Sequence, residues 1–342
     1  MAITKRVFIS DVHLGKGGNT DWYNKDIHDP RLLNFLDYVC ANADKIKDLV
    51  LVGDIFDTWV WNMVDDPPKI EDILEYNNNI VEKLKDAVGE LQNVFYLNGN
   101  HDMHVTEEDL SSIKKNGKKI QCIKEYRSGG LFAVHGHNHA MFNAIDQLND
   151  PGRGLPLGYF ISRMLAGDDS YTSPGAILQY VDDLLEAAIT TQTISESVIE
   201  AMMEHTKKHP QEQFKMPEGR QPVSIEHVKR QYAGLYEKWV EKFGYRYALK
   251  AISGEMGSLG WFADRICKKR DFKVVVMGHT HDSEFDKDTP IFGKERIYIN
   301  SGYWCGDTSH FVLADKLNGS FEVSLVRVND DNTFEPVRTE SV

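Results

Sequence analysis

Seven residues in this sequence carry side chains that bind divalent or trivalent cations, and each falls in a short polar cluster: Asp11, His13, Asp54, Asn100, His135, His279 and His281. Asp11 and His13 are two positions apart, as are His279 and His281. On an extended backbone each such pair points to one side. Asp54, Asn100 and His135 arrive singly. Carboxylate, imidazole and amide oxygen together suit a borderline ion such as Mn, Fe, Zn or Co, with Mn or Fe the first choice, and the set is large enough for two ions. Two adjacent cations need a shared anion, and Asp54, alone on a tight Gly-Asp turn, is the residue expected between them. Taken singly, Asp11 or Asp54 would be read as a turn or capping residue; only the whole set favours ligation.

A pair of ions about 4 Å apart has a specific use. It neutralises the negative oxygens of a phosphate ester, lowers the pKa of a bridging water towards about 7, and aligns attacker with leaving group. The expected reaction is in-line hydrolysis of a phosphomonoester, phosphodiester or pyrophosphate bond by a metal-bridging hydroxide. His101, next to Asn100, is the expected catalytic residue, protonating the leaving oxygen or stabilising charge on the phosphoryl group. Asp102 or a neighbouring carbonyl would fix its tautomer. Asp57 is expected to hydrogen-bond a ligand histidine or to cap the following turn. His137 and His139 continue the alternation after His135, but seven ligands already satisfy two ions, so His137 is expected to stand behind the ligands. His104 and His310 read as surface or packing histidines.

The elements that must position these residues are legible as strand-like runs over 6–10, 48–52 and 93–97, each ending at a polar cluster, with helix-like stretches over 30–43 and 69–91 between them. This alternation implies a parallel sheet with crossover helices, whose ligands gather beyond the carboxyl ends of the strands. Further strands are expected over 131–134, ending at His135, and over 272–277, ending before His279. The runs 298–300, 310–314 and 321–328, with Asn318-Gly319 as a hairpin turn, follow without helices and suggest a second mixed or antiparallel sheet packed on the first. The acidic tail after Asn329 reads as a solvated end.

Residues 140–270 differ in texture. Helix-like runs over 174–188, 195–208 and 224–243 are punctuated by Pro and Gly. The interval reads as a helical insertion, a cap, in a core formed by 1–139 and 271–342. The apolar run 155–161 and the aromatic residues Tyr232, Tyr236, Trp239, Phe243, Tyr245 and Tyr247 are expected to be packing residues, rather than an acyl pocket or a base-stacking platform.

The blocks Asp11-Val12-His13, Gly53-Asp54-Ile55-Phe56-Asp57, Gly99-Asn100-His101-Asp102, Val134-His135-Gly136-His137 and Gly278-His279-Thr280-His281 resemble the successive signatures of the calcineurin-like metallophosphoesterase superfamily. Their joint occurrence in the family's order is far more specific than any one block. The resemblance covers 7–137 and 272–302. It implies a four-layer α-β-β-α sandwich of two mixed β-sheets flanked by helices. It also implies one metal held by Asp11, His13, Asp54 and His281, a second held by Asp54, Asn100, His135 and His279, and a catalytic role for His101. Residues 9–15 and 53–59 are similar to the UDP-2,3-diacylglucosamine pyrophosphatases of lipid A synthesis. That subgroup commonly carries Arg at the position of His101 and Asp at that of His137, so it implies the metal site and not the substrate.

Composition limits the partners. The chain has 342 residues, 41% of them hydrophobic, enough for a large core. With 52 acidic against 39 basic residues its formal charge is -13, which disfavours nucleic acid and leaves a small phosphorylated substrate as the expected partner. A repair-type nuclease is therefore the weaker enzymatic alternative. The alternative of another class is a catalytically inactive scaffold binding a protein partner, which would be expected to show eroded ligands. Cys40, Cys122, Cys267 and Cys305 have no paired spacing and read as reduced thiols. No basic leader precedes an apolar stretch, and no apolar run approaches the ~20 residues needed to cross a bilayer. A cytoplasmic protein is expected.

Overall fold

A computed structural model of the chain describes residues 3–145, 154–166, 193–217, 219–289 and 294–342. The first half runs through strand β1 (Lys5–Ile9), helix α1 (Lys25–Ala41), β2 (Ile46–Val52), α2 (Ile70–Tyr76), α3 (Asn78–Glu90) and β3 (Asn93–Leu97). Three short strands follow: β4 (Gln121–Cys122), β5 (Tyr126–Ser128) and β6 (Leu131–Ala133). Next come helices α4 (Leu157–Leu165), α5 (Ile194–Thr206), α6 (Ile225–Tyr232), α7 (Leu235–Phe243), α8 (Tyr245–Met256) and α9 (Gly260–Arg270). Strands β7 (Val274–Met277), β8 (Ser283–Asp288), β9 (Arg296–Ser301), β10 (Ser309–Leu317), β11 (Ser320–Val328) and β12 (Phe334–Ser341) complete the chain.

The strands form two mixed sheets. One has the order β12-β11-β10-β1-β2-β3-β4, the other β8-β9-β7-β6-β5. Strands β1, β2 and β3 are parallel in the register Val7↔Leu49 and Leu49↔Val94, as their crossover helices require, while β10 lies antiparallel to β1. In the other sheet β7 runs parallel to both β6 and β9.

Alternation along the strands builds the layers. Phe8, Val50, Val52 and Leu97 from one sheet meet Leu131, Ala133, Val274, Val276, Ile297 and Ile299 from the other in a shared apolar core. Their sequence neighbours Val7, Ile9, Leu49, Leu51 and Val94 join Phe35, Leu36, Ile80 and Leu84 of α1 and α3 on the opposite face. Val275 and Met277 likewise turn outward with Phe262 and Ala263 of α9. The result is the four-layer α-β-β-α sandwich. Central strands buried on both faces are near-continuous apolar runs, and each such side chain removed from water is worth roughly 1.5–3 kcal/mol.

The structure corrects several expectations. Helix α1 begins five residues before Pro30, because Asn24 accepts from the amide of Asp26 and nucleates a turn ahead of the proline. The stretch 69–91 is two helices, broken at buried Asn77, whose side-chain amide donates to Gly15 O (2.7 Å) and Ile73 O (2.8 Å). Strand β10 pairs with β1, and β11 and β12 follow it outward to extend the first sheet, while the second sheet is made from β5 to β9. Asn318 and Gly319 do form the turn between β10 and β11, both at positive φ. The tail is β12, an edge strand paired with β11. Residues 224–243 split into α6 and α7 at Gly234, and the expected helix over 174–188 lies outside the described residues. The aromatic side chains of Tyr232 and Trp239 are buried in the main core cluster. His310 is buried as well.

Candidate metal centre

The polar clusters sit in the loops leaving β1, β2, β3, β6 and β7. Five of the seven expected ligands have left-handed backbone: Asp11 (φ 54°), His13 (53°), Asp54 (52°), His279 (77°) and His281 (63°). The pairs therefore do not converge by extended alternation, contrary to the sequence reading. Side chains other than glycine rarely occupy this region, at a cost of roughly 1–3 kcal/mol each, and the strain persists only where neighbours over-determine it. Here the amide of Asp11 donates to Gly53 O (3.0 Å) and that of His13 to Asp54 O (2.9 Å). The amide of His279 donates to both carboxylate oxygens of Asp11 (3.0 and 3.1 Å).

Two groups of side chains share Asp54, and a third, His13, Asp57 and His101, lies beside them. Asp11, His13, Asp54 and His281 each place a ligand atom within 4.8 Å of the others, and so do Asp54, His135 and His279. Asn100 Oδ1 completes the second group, 3.2 Å from His135 Nε2 and 3.1 Å from His279 Nδ1. Asp54 belongs to both, and all seven residues are buried. A Cβ at position 99 would lie 2.1 Å from Asp54 Oδ1, so Gly99 is needed for the β3 loop to approach the shared carboxylate.

The donor atoms face one another in a way that calls for positive charge. His135 Nδ1 donates to Val52 O (2.8 Å), which leaves Nε2 facing Asp54 Oδ2, 3.1 Å away, and Asn100 Oδ1, a place that a proton or a cation can fill. His13 Nδ1 is 3.0 Å from Asp57 Oδ2, which leaves its Nε2 facing His281 Nε2 at 3.1 Å. Asp54 Oδ2 is buried, and its nearest cationic group is the His135 imidazole. Burial disfavours charge on His135, yet the Asp54 and Asp11 carboxylates outweigh it and push the imidazole up to about 10. Clustered buried acceptors fit cations, and carboxylate with imidazole and amide oxygen is a donor set for transition metals.

Around the two groups, Asp57 performs both tasks expected of it. Its Oδ2 faces His13 and its Oδ1 accepts from the amides of Trp59 (2.8 Å) and Val60 (2.9 Å). The same Oδ2 lies 3.1 Å from His101 Nδ1. The carboxylate beside His101 is thus Asp57, not Asp102. Asp102 instead ties loops together, accepting from the amides of Ile55 (2.8 Å) and Gly99 (2.6 Å) and from the Tyr96 hydroxyl. The His101 ring stacks on Trp59 at 4.5 Å, and its own amide donates to Asp54 Oδ1 (2.8 Å). Burial opposes its protonation, but Asp57 and Asp54 raise its pKa. His137 is buried with Nδ1 unpartnered, 5.4 Å ring to ring from His135, and burial pulls it down to about 3. His139 stacks on Phe262 away from both groups.

Several residues had no signal in the sequence. Trp22 packs against both His13 and His281, Tyr303 stacks on His281, and Asn143 Oδ1 accepts from Asn100 Nδ2 (3.2 Å). Trp22, Tyr303 and Asn143 lie outside the motif blocks and follow no spacing rule that ties them to the ligands.

Among the described residues, no helix is long and apolar enough to cross a membrane. No curated protein sequence matched the chain. Solved structures that resemble it include wild-type Vps29 complexed with zinc from Entamoeba histolytica, at 11% identity and a TM-score of 0.34, covering 99% of this chain and 98% of that one. GAP50 of Plasmodium is similar at 12% identity and a TM-score of 0.40, covering 99% of this chain and 89% of that one. Likenesses this weak carry no argument about activity. The sequence itself matches the calcineurin-like phosphoesterase family over residues 4–283, and the chain, with its clustered carboxylates and imidazoles, belongs to that family.

Proposed function

We propose that the protein is a dinuclear-metal phosphoesterase that hydrolyses a phosphomonoester, phosphodiester or pyrophosphate bond of a small substrate in the cytoplasm. The observation that carries this reading is the pair of buried donor groups sharing Asp54. None of the seven ligands is eroded, which favours an enzyme over an inactive scaffold. The charge of -13 favours a small phosphorylated substrate over nucleic acid. Four free cysteines accord with a reducing compartment.

Asp11, His13, Asp54 and His281 would hold one ion, and Asp54, Asn100, His135 and His279 the other, with Mn or Fe as first choice. When bound, such a pair supplies charge neutralisation at the phosphoryl oxygens and an acidified water. The protein's own residues do the rest. Asp57 beside Nδ1 of His101 leaves Nε2 to donate a proton to the departing oxygen. Trp59 and Trp22 hold that ring and keep bulk water from it. The helices of 140–270 would act as a cap that selects the substrate.

The test is hydrolysis of an aryl phosphate, an aryl phosphodiester, nucleotides and sugar nucleotides by protein reconstituted with Mn2+, against the same protein treated with chelator. Turnover that appears with metal and disappears on chelation is expected. A folded, metal-loaded protein inert toward every substrate would overturn the enzymatic reading in favour of the scaffold.

A further inference from the structure

Helix α8 carries a buried carboxylate, Glu255, outside both donor groups. The side chain of Glu255 is only 4% exposed, and its Oε2 lies 3.9 Å from Nε2 of His279. That nitrogen is buried and has no hydrogen-bond partner. The other ring nitrogen, Nδ1, faces Asn100 Oδ1 at 3.1 Å, on the side of the donor groups. His279 therefore presents one nitrogen to the candidate ion and turns the other toward a carboxylate 3.9 Å away, beyond hydrogen-bond distance but near enough for its charge to favour a proton on that nitrogen.

Glu255 reaches a second ligand by another route. Its Oε2 accepts from Asn143 Nδ2 (2.6 Å), and Asn143 Oδ1 accepts from Asn100 Nδ2 (3.2 Å). An amide whose NH2 group is engaged in this way must turn its oxygen to the opposite side, which is where Asn100 Oδ1 meets His135 and His279. Oε1 of Glu255 accepts from the amide of Phe142, so the carboxylate also holds the backbone carrying Asn143.

The same segment is held by two helices of the 140–270 region. The amide of Met141 donates to Ala251 O of α8 (3.1 Å), and that of Gly158 in α4 donates to Phe142 O (2.8 Å). A Cβ at position 158 would lie 2.2 Å from Asn143 Oδ1, so glycine is required there for the amide to occupy its place.

We propose that Glu255 is a positioning residue of the metal centre, supplied by the helical region, which orients Asn100 through Asn143 and places its charge behind His279. The inference rests on the dinuclear reading of the site and extends it: the helical region then does more than cover the substrate, because it completes the support of one ion. Of Asp11, His13 and His281, Asp11 meets this network through the backbone amide of His279, so the ion they would hold is affected through that contact and through the shared Asp54.

The experiment compares wild type with Glu255→Gln, Glu255→Ala and Gly158→Ala, each stripped of metal and titrated with Co2+ while its visible absorption and metal content are followed. The expected result is loss of affinity for one of two ions by about 10–100-fold in all three variants, with a changed Co2+ spectrum. Melting temperatures of the metal-free proteins provide the folding control. Gly158→Ala is informative because alanine favours a helix more than glycine does, so weakened binding there reports displacement of Asn143 and not a weakened helix. If wild type takes up two ions and the variants bind both with unchanged affinity and spectrum, Glu255 has no positioning role. If wild type takes up no metal, the dinuclear reading itself fails, and this outcome is distinct from the first.

Discussion

Nδ1 of His101 and Nδ1 of His13 both meet Oδ2 of Asp57, so one carboxylate orients an expected ligand and the expected catalyst together. The two histidines should nevertheless differ in what their loss does. Removing the His101 ring leaves its backbone amide on Asp54 Oδ1 in place and deletes no donor of the two groups that share Asp54. His101→Ala is expected to lower turnover by about 100- to 10,000-fold with both ions retained, measured by steady-state kinetics beside metal analysis. Asp54 belongs to both groups, so Asp54→Ala should abolish binding of both ions along with activity; retention of one ion would show that the carboxylate is not shared. At this scale the sequence was informative about residue identity, because metal ligands come from a small chemical menu that clusters in short blocks. It was silent about Glu255, which meets Asn143 across 112 positions with no periodicity to reveal the contact.

Elements hold these residues by details that periodicity does not encode. The break at Asn77 depends on an amide reaching Gly15 O in another loop, and the left-handed backbone at Asp11, His13 and Asp54 depends on hydrogen bonds between the β1 and β2 loops. Strand identity was legible because apolar runs dominate β1, β2 and β3, whereas sheet membership of β10 to β12 required the long-range pairing with β1. Helix α1 offers a test of its own. His28 is buried, and its Nδ1 accepts from the amide of Asn24 (2.9 Å), which requires the neutral ring; burial and then Arg31 lower its pKa to about 4. Above pH 6.5 neither folded nor unfolded chain is protonated there. Between 6.5 and about 4 the unfolded chain binds a proton that the folded one refuses, so stability falls as pH falls through that window, by roughly 1–3 kcal/mol. Urea unfolding of chelator-treated protein at pH 7.5 and 4.5 should show a larger loss for wild type than for His28→Gln. Equal losses would contradict the assignment.

At the scale of the molecule, the centre joins the two sheets. Asp11, His13, Asp54 and Asn100 leave strands of one sheet, while His135, His279 and His281 leave strands of the other. Bound ions would cross-link the halves of the sandwich, and their removal would leave buried acceptors facing one another. At a free-ion concentration 1,000-fold above the dissociation constant the stabilisation is about 4 kcal/mol. Chelation is therefore expected to lower the melting temperature by several degrees, reversibly on restoring Mn2+, and to have no effect on Asp54→Ala. An unchanged melting temperature in a wild type shown to contain metal would mean that the sheets do not depend on the centre. The sandwich followed from strand alternation and family resemblance together, but the way the 140–270 helices grip residues 141–143 is a tertiary contact with no counterpart in composition.

The proposed function requires two cations, one on either side of the Asp54 carboxylate. Anomalous diffraction from crystals grown with Mn2+ tests it directly. Two peaks are predicted, one among Asp11, His13 and His281 and the other among Asn100, His135 and His279, both within bonding distance of Asp54. A single peak, or none within reach of Asp54, would contradict the account.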